Sequence, residues 1–275
     1  MTTPISVSEI LIYPIKSLGA IRLASNFALE KGFRYDRRYL LVDDNGQFLT
    51  QRDLPMMGLL QPALHDDHWQ VTAGAEKNSQ ILFPLEPPHP TTPLTVNVWD
   101  DFCEALPYPA RINDWFSEQL GIACTLVFLP ETHHRPISTG KFQTTGSLSF
   151  ADGYPYLVTT VASLNDLNDK LPYPVSSLRF RPNIVLSGDL QPFEEDHWTA
   201  FSIGSARFKG LGPHARCQVV DLDPQTAKSD GIVLPALAQF RRENRKLNFG
   251  LSSQCTNAHE QPLISIGDKV VLHNL

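Results

Sequence analysis

Two short segments of this chain hold the residue types that do chemistry. Arg179-Phe-Arg-Pro-Asn-Ile-Val-Leu-Ser-Gly188 sets Arg181 and Asn183 at the head of an apolar strand. Gly212-Pro-His-Ala-Arg-Cys-Gln-Val-Val-Asp-Leu-Asp-Pro224 sets Cys217 between Arg216 and a second apolar run. Thiolate is the nucleophilic and metal-binding form of cysteine, and nearby positive charge favours it. Lys209, His214 and Arg216 are its cationic neighbours in sequence. Guanidinium forks and a side-chain amide suit phosphate or another planar anion. The combination points to a soft metal or an anion. The competing readings are ordinary ones: Cys217 as a small buried hydrophobe, and Arg181 in a solvated salt bridge.

Other candidates are weaker taken singly. Lys16 and Ser17 follow an apolar strand and Pro14, where a lysine is usually solvated. Arg37 lies in Asp36-Arg-Arg-Tyr39, and strand alternation would turn its neighbour Arg38 to solvent. Asp152 stands in an Asp-Gly turn, and Ser163 reads as a helix N-cap. His133-His134 has no partner at metal spacing, and Glu194-Glu-Asp-His-Trp198 reads as an acidic loop without chemistry. Gly-rich dinucleotide and Walker loops are absent.

These residues must be positioned mainly by strands. Ile5–Tyr13 and Ile21–Leu29 alternate, and Asp43-Asp-Asn-Gly46 is a hairpin turn between Tyr39–Val42 and Phe48-Leu49. Further strands are expected at 68–72, 81–83, 94–99, 102–106, 156–159, 183–186, 201–203, 206–209, 218–222 and 269–272. Helices are expected at 111–120, stopped by Gly121, at 163–171, and at 234–242. The proline-rich 84–93 is a loop and the polar 131–147 a linker or mobile loop. Many short strands with few helices predict a mainly β (α+β) protein containing a β-barrel, with a boundary near 130 dividing 1–130 from 131–275.

A net charge of −6 argues against a general nucleic-acid binder. The four cysteines form no CxxC pair, which excludes zinc ribbons, ligating iron–sulfur loops and a secreted disulfide framework. No signal peptide is visible and no apolar stretch could span a bilayer, so the expected compartment is cytoplasmic, with no membrane partner.

Together with Tyr13-Pro-Ile-Lys-Ser17, Asp36-Arg-Arg-Tyr39, Phe150-Ala-Asp-Gly-Tyr-Pro-Tyr156, Asn248-Phe-Gly250 and Ile264-Ser-Ile-Gly-Asp268, the two segments resemble the molybdenum-cofactor sulfurase C-terminal (MOSC) domain family, above all its amidoxime-reducing members. The resemblance implies an N-terminal MOSC-type β domain packed on a C-terminal MOSC β-barrel. It implies molybdenum cofactor (molybdopterin with molybdenum) held by Lys16, Ser17, Arg37, Asp152, Arg181, Asn183 and Arg216, with Cys217 as metal ligand and catalytic residue. The implied activity is reduction of N-hydroxylated compounds such as amidoximes, hydroxylamines and N-hydroxylated bases. Electrons would come from a separate reductase or ferredoxin-like protein, docking on a local basic patch drawn from Arg37, Arg38 and Arg241–Lys246. The alternatives are a sulfur-carrier or cofactor-handling protein using a Cys217 persulfide, and a cofactor-storage protein. The sequence departs from the family at Ala215, where relatives often carry serine, and at Gln225-Thr-Ala-Lys228, which lacks a usual glycine. No C-terminal iron–sulfur domain is expected, in contrast to some bacterial relatives.

Overall fold

The computed structural model describes residues 3–74, 79–88, 91–137 and 145–273. Parts of two expected loops, 89–90 and 138–144, lie outside them. The first half contains β1 (Ser6–Ile12), β2 (Ile21–Leu23), β3 (Ser25–Leu29), β4 (Gly32–Phe33), β5 (Tyr39–Val42), β6 (Gln61–His65), β7 (His68–Ala73), β8 (Ser79–Pro84), β9 (Leu94–Val98), β10 (Asp101–Pro107), α1 (Ala110–Leu120) and β11 (Thr125–Phe128). The second contains β12 (Tyr156–Thr160), α2 (Val161–Asn168), β13 (Ile184–Ser187), β14 (Ala200–Ile203), β15 (Ala206–Ala215), α3 (Val233–Phe240), β16 (Arg242–Glu243), β17 (Lys246–Cys255), β18 (Leu263–Ser265) and β19 (Val270–Leu272).

The largest sheet runs β19-β14-β15-β17-β12-β13-β1-β2. A bridge from Ser6 to Lys269 brings its far strands round towards each other, supported by Val7 N–H to Asp268 O at 3.0 Å and Val270 N–H to Ile5 O at 2.9 Å. This is a β-barrel, and two of its strands, β1 and β2, come from the start of the chain. Its core packs Ile10, Val158, Ile184, Trp198, Phe201, Phe208 and Leu251. A second core, centred on Tyr39, Trp69, Phe83, Phe116 and Leu126, fills the space between the sheet β5-β11-β10-β9, the sheet β6-β7-β8 and α1.

Several expected elements differ from those observed. The run Ile21–Leu29 breaks at Ala24 because β2 pairs with β1 whereas β3 pairs with β18. Residues 218–221 form a 3-10 turn instead of a strand. Asp221 is the reason: its Oδ1 accepts from Val233 N at 2.8 Å and Leu234 N at 3.0 Å, so the chain bends back to cap α3. The long central strand β17 was not expected, since glycine, serines and asparagine break its apolar pattern. Gly250 lets it lie close to β12: a Cβ there would stand 2.8 Å from Val158 O. The described part of 131–147 is anchored, with Arg135 buried and donating to Asp101 at 2.8 Å and to the carbonyls of Ser149 and Ala151.

The N-cap of α2 is Thr160, not Ser163. Ser163 Oγ instead lies 2.7 and 2.8 Å from the two carboxyl oxygens of Glu195, inside the stretch read as an acidic loop. Glu195 is fully buried, and burial pushes its carboxyl up to about 7, against the pull of the Ser163 hydroxyl. The folded protein therefore keeps this proton up to about pH 7, whereas the unfolded chain releases it near 4.5. The folded state binds more protons in that window, so the contribution to stability is fully present below it and falls as pH rises. Glu195→Gln should flatten the decline, the two stability curves diverging by roughly 3 kcal/mol across the window. Denaturant melts at several pH values measure this, and parallel curves would show Glu195 ionised throughout.

Candidate functional site

Between the barrel and the second core opens a cavity of about 320 Å³. All eight residues that the resemblance implies at the cofactor line it: Lys16, Ser17, Arg37, Asp152, Arg181, Asn183, Arg216 and Cys217. Lys16 follows β1 and is held by its own N–H to Tyr39 O at 2.9 Å. Its ammonium is buried, donates to Phe150 O at 2.8 Å and pairs with Asp152. Burial lowers the Lys16 pKa and Asp152 opposes that. Asp152 stands at the rim with more than half its side chain exposed. Enclosure alone would raise its carboxyl, yet the Lys16 charge and hydrogen bond, with the Trp99 N–H, hold it well below the usual range.

Four non-glycine residues here have left-handed backbones: Ser17 at φ 71°, Arg37 at φ 49°, Trp99 at φ 60° and Arg181 at φ 52°. Each costs roughly 1–2 kcal/mol, and such strain gathers where a fold must aim side chains at a ligand. The turn at Arg37 overrides strand alternation, which is why Arg38 is not solvated. It is buried, paired with Glu131 and bonded to Leu129 O.

The left-handed turns place Arg37 and Arg181 against the ring of Tyr13, at 4.3 and 4.1 Å from its centroid. Arg37 pairs with the buried Asp36 and donates to Arg181 O at 3.1 Å. Arg181 donates to Leu18 O at 2.8 Å. Arg216 donates to Phe180 O, and its Nε is buried without a partner. Burial draws the Arg181 and Arg216 guanidiniums down to about 10, still charged at neutral pH.

Asn183 has a different place from the one its motif suggests. Its amide is spent inside the protein: Nδ2 donates to Leu11 O at 3.2 Å and Asp36 Oδ2 at 3.0 Å, and Oδ1 accepts from Leu157 N at 3.2 Å. It braces Arg37 through Asp36. Cys217 is exposed and extended just before the 3-10 turn, whereas Cys103, Cys124 and Cys255 are buried. Lys209 points out of β15 and does not line the cavity. His214 does line it, bonded to Ser252 Oγ at 2.9 Å, but enclosure by protein drives its pKa down to about 3, so it brings no charge to Cys217.

Arg52, Trp99 and Tyr154 also line the cavity; Tyr154 lies in the Phe150–Tyr156 motif, whereas Arg52 and Trp99 carry no sequence signal beyond their type. Arg179 is spent on Asp230, with bonds of 2.9 and 2.5 Å. Among the described residues, Arg52, Arg181 and Arg216 have no carboxylate partner. The cavity is thus a cationic pocket with an accessible thiol on its wall. It suits an anionic group rich in oxygen or nitrogen acceptors, and a metal that takes sulfur. Among the described residues no three His, Cys, Asp or Glu side chains converge as a metal cage.

Residues 5–123 match the MOSC N-terminal beta barrel domain and residues 145–271 match the MOSC domain. The chain belongs to the MOSC family. It is 32% identical over 234 residues to mitochondrial amidoxime-reducing component 1 of Mus musculus, covering 82% of this chain and 68% of that protein. It is 31% identical over 266 residues to the molybdenum cofactor sulfurase of Oryza sativa subsp. japonica, covering 90% of this chain. It spans about a third of that sulfurase, 32% of its length. A crystal structure of the YuaD protein from Bacillus subtilis aligns over 98% of this chain and 94% of its own, with TM-score 0.40 and 9% identity.

The MOSC N-terminal region supplies Lys16, Ser17, Arg37, Arg52 and Trp99, and the MOSC region supplies Asp152, Arg181, Asn183, His214, Arg216 and Cys217. The pocket therefore belongs to both. Of the residues expected to offer a basic docking patch, Arg38 is buried and Arg241 pairs with Asp196. Arg242, Arg245 and Lys246 remain exposed on the β16–β17 hairpin. No helix among the described residues is long and apolar enough to cross a membrane.

Proposed function

We propose that this MOSC protein is a molybdenum-cofactor-dependent reductase of N-hydroxylated compounds. The observation that carries the reading is the accessible Cys217 thiol in a cavity where Arg52, Arg181 and Arg216 have no carboxylate partner among the described residues. The kinship with the amidoxime-reducing component supports it, as does that alignment's reach over 68% of the relative. The orphaned Arg216 Nε, the free N–H groups of Arg181 and the Lys16 ammonium fit the phosphate and pterin acceptors. Cys217 fits a metal that prefers sulfur.

When bound, the cofactor supplies the two-electron chemistry that reduces an N–O bond. The chain's residues bind and orient. Arg181, Arg216, Lys16 and the Ser17 turn would anchor the cofactor, while Asn183 and Asp36 hold Arg37 in place. Two electrons and two protons convert the N–OH group to N–H and water. The electrons come from a separate protein donor, for which the exposed hairpin cations are the candidate contact. Asp152, ionised and at the rim, can accept a hydrogen bond from the substrate's N–H groups.

Protein made in a host that synthesises molybdenum cofactor should carry stoichiometric molybdenum and fluorescent pterin. It should reduce benzamidoxime with a reduced viologen as donor. Metal-free, pterin-free protein that is nevertheless folded would sink the reading. The exposed Cys217 and the sulfurase kinship favour a second reading, a persulfide carrier. Incubation with a cysteine desulfurase and cysteine, followed by mass spectrometry, would then find one added sulfur on Cys217 that transfers to an acceptor.

A further inference from the structure

The mouth of the cavity carries an aromatic–cation pair that anchoring a cofactor does not use. Trp99 follows β9 with a left-handed backbone, φ 60°, and stays 46% exposed. Its Nε1 donates to Asp152 Oδ1 at 2.9 Å, and its ring meets that of Phe48 at 5.3 Å. The Arg52 guanidinium lies over the same indole, 4.4 Å from its centroid. Among the described residues that guanidinium has no ion pair and no hydrogen bond, although the Arg52 backbone is fixed at both ends. Its N–H donates to Thr50 Oγ1 at 2.9 Å, and its carbonyl accepts from Gln218 Nε2 at 3.5 Å. Gln218 directly follows Cys217, so the loop presenting Arg52 is tied to the segment presenting the thiol. A guanidinium stacked on an aromatic face keeps its edge N–H groups free for a ligand in its own plane.

We infer that Arg52 and Trp99 form a substrate-recognition wall selecting planar, delocalised N-hydroxylated compounds, such as aromatic amidoximes and N-hydroxylated bases, over small aliphatic hydroxylamines. The inference rests on the reductase reading and names the substrate class of that site. The flat face of the substrate lies on the open part of the indole, its N–O oxygen accepts from Arg52, and an N–H faces Asp152. An aliphatic hydroxylamine offers the oxygen but no face to stack.

Two measurements test the wall. First, tryptophan fluorescence is titrated with benzamidoxime in the absence of reductant. Trp69 and Trp198 are buried, and Trp115 sits on α1 with its Nε1 bonded to Ser79. Saturable quenching should therefore come from Trp99 and vanish in Trp99→Leu. Second, the kcat/KM ratio for benzamidoxime over N-methylhydroxylamine should fall about tenfold or more in Trp99→Leu and in Arg52→Met, mostly through KM. Arg52→Lys should lie between, having charge but no planar fork. Trp99→Phe keeps the stack, loses the bond to Asp152 and should keep most of the ratio, which separates stacking from positioning. Quenching that persists in Trp99→Leu, or ratios within about twofold of wild type in both variants, would overturn the wall. Quenching by benzamidoxime without turnover would instead sink the reductase reading and leave the recognition wall standing.

Discussion

Cys217→Ser should lower benzamidoxime reduction by at least about 100-fold, since even partners one shell out from a metal cost 10–100-fold when lost. A serine hydroxyl is a harder and far less acidic donor than a thiol, so metal chemistry fails even where pterin stays bound. The arginines that would hold the rest of the cofactor are untouched, so pterin content should fall less than activity. Cys103→Ser, Cys124→Ser and Cys255→Ser should behave in the opposite way. All three thiols are buried and burial raises their pKa values, so they are packing residues. Placing a hydroxyl there costs about 1–3 kcal/mol where it finds no partner, with activity per folded molecule retained. Activity, molybdenum and pterin assays on all four variants, beside thermal melts, decide it. An active Cys217→Ser protein would end the ligand assignment.

Asp36→Ala should be the most destabilising change at the site, by about 3–5 kcal/mol, the cost of stripping a buried charge of its partner. Asp36 is fully buried. It accepts from Tyr13 N at 2.8 Å and Asn183 Nδ2 at 3.0 Å, and it pairs with Arg37. Alanine takes an acceptor from all three and leaves the Arg37 guanidinium without its carboxylate, though still bonded to Arg181 O. Asp36→Asn keeps an acceptor and the shape, and should cost less. Urea melts measure both, and a loss below about 1 kcal/mol for Asp36→Ala would mean that water takes the carboxylate's place.

The residues picked out from the sequence meet in one cavity, but what each of them bonds to was less legible. Lys16, Arg37, Arg181, Arg216 and Cys217 sit in short local motifs, and residue type with close spacing survives folding. Asn183 is in the pocket as its motif suggested, but its amide is consumed by Leu11, Leu157 and Asp36, partners far away in sequence. The fates of Arg37 and Arg38 turned on a left-handed residue, which alternation arguments do not foresee. Arg52 and Trp99 escaped notice because they come from two loops whose meeting is purely tertiary. The mainly β architecture was legible from turn chemistry and short apolar runs. The strand β17 was hidden because it is covered on both faces, so its serines and glycine answer to packing instead of water. The 3-10 turn at 218–221 looked like a strand because Val219-Val220 is apolar, while the cap on α3 that bends it lies twelve residues on.

The pairing of β1 with β13 has a consequence for how the protein is made. Ser8 bonds to Val185 O across 177 positions of sequence. A ribosome adds about 5–20 residues per second, so β1 waits on the order of ten seconds or more for its partner. During that time β2 can pair one edge of β1, while the edge that takes β13 stays open beside the apolar Val7, Ile10, Leu11 and Ile12. The barrel cannot close until the segment around Lys269 has also emerged. The second core, built from β5 to β11 and α1, draws on nearer neighbours and can form while the β13 edge of β1 is still open. An open apolar strand edge invites pairing between chains, so faster synthesis should raise the aggregated fraction.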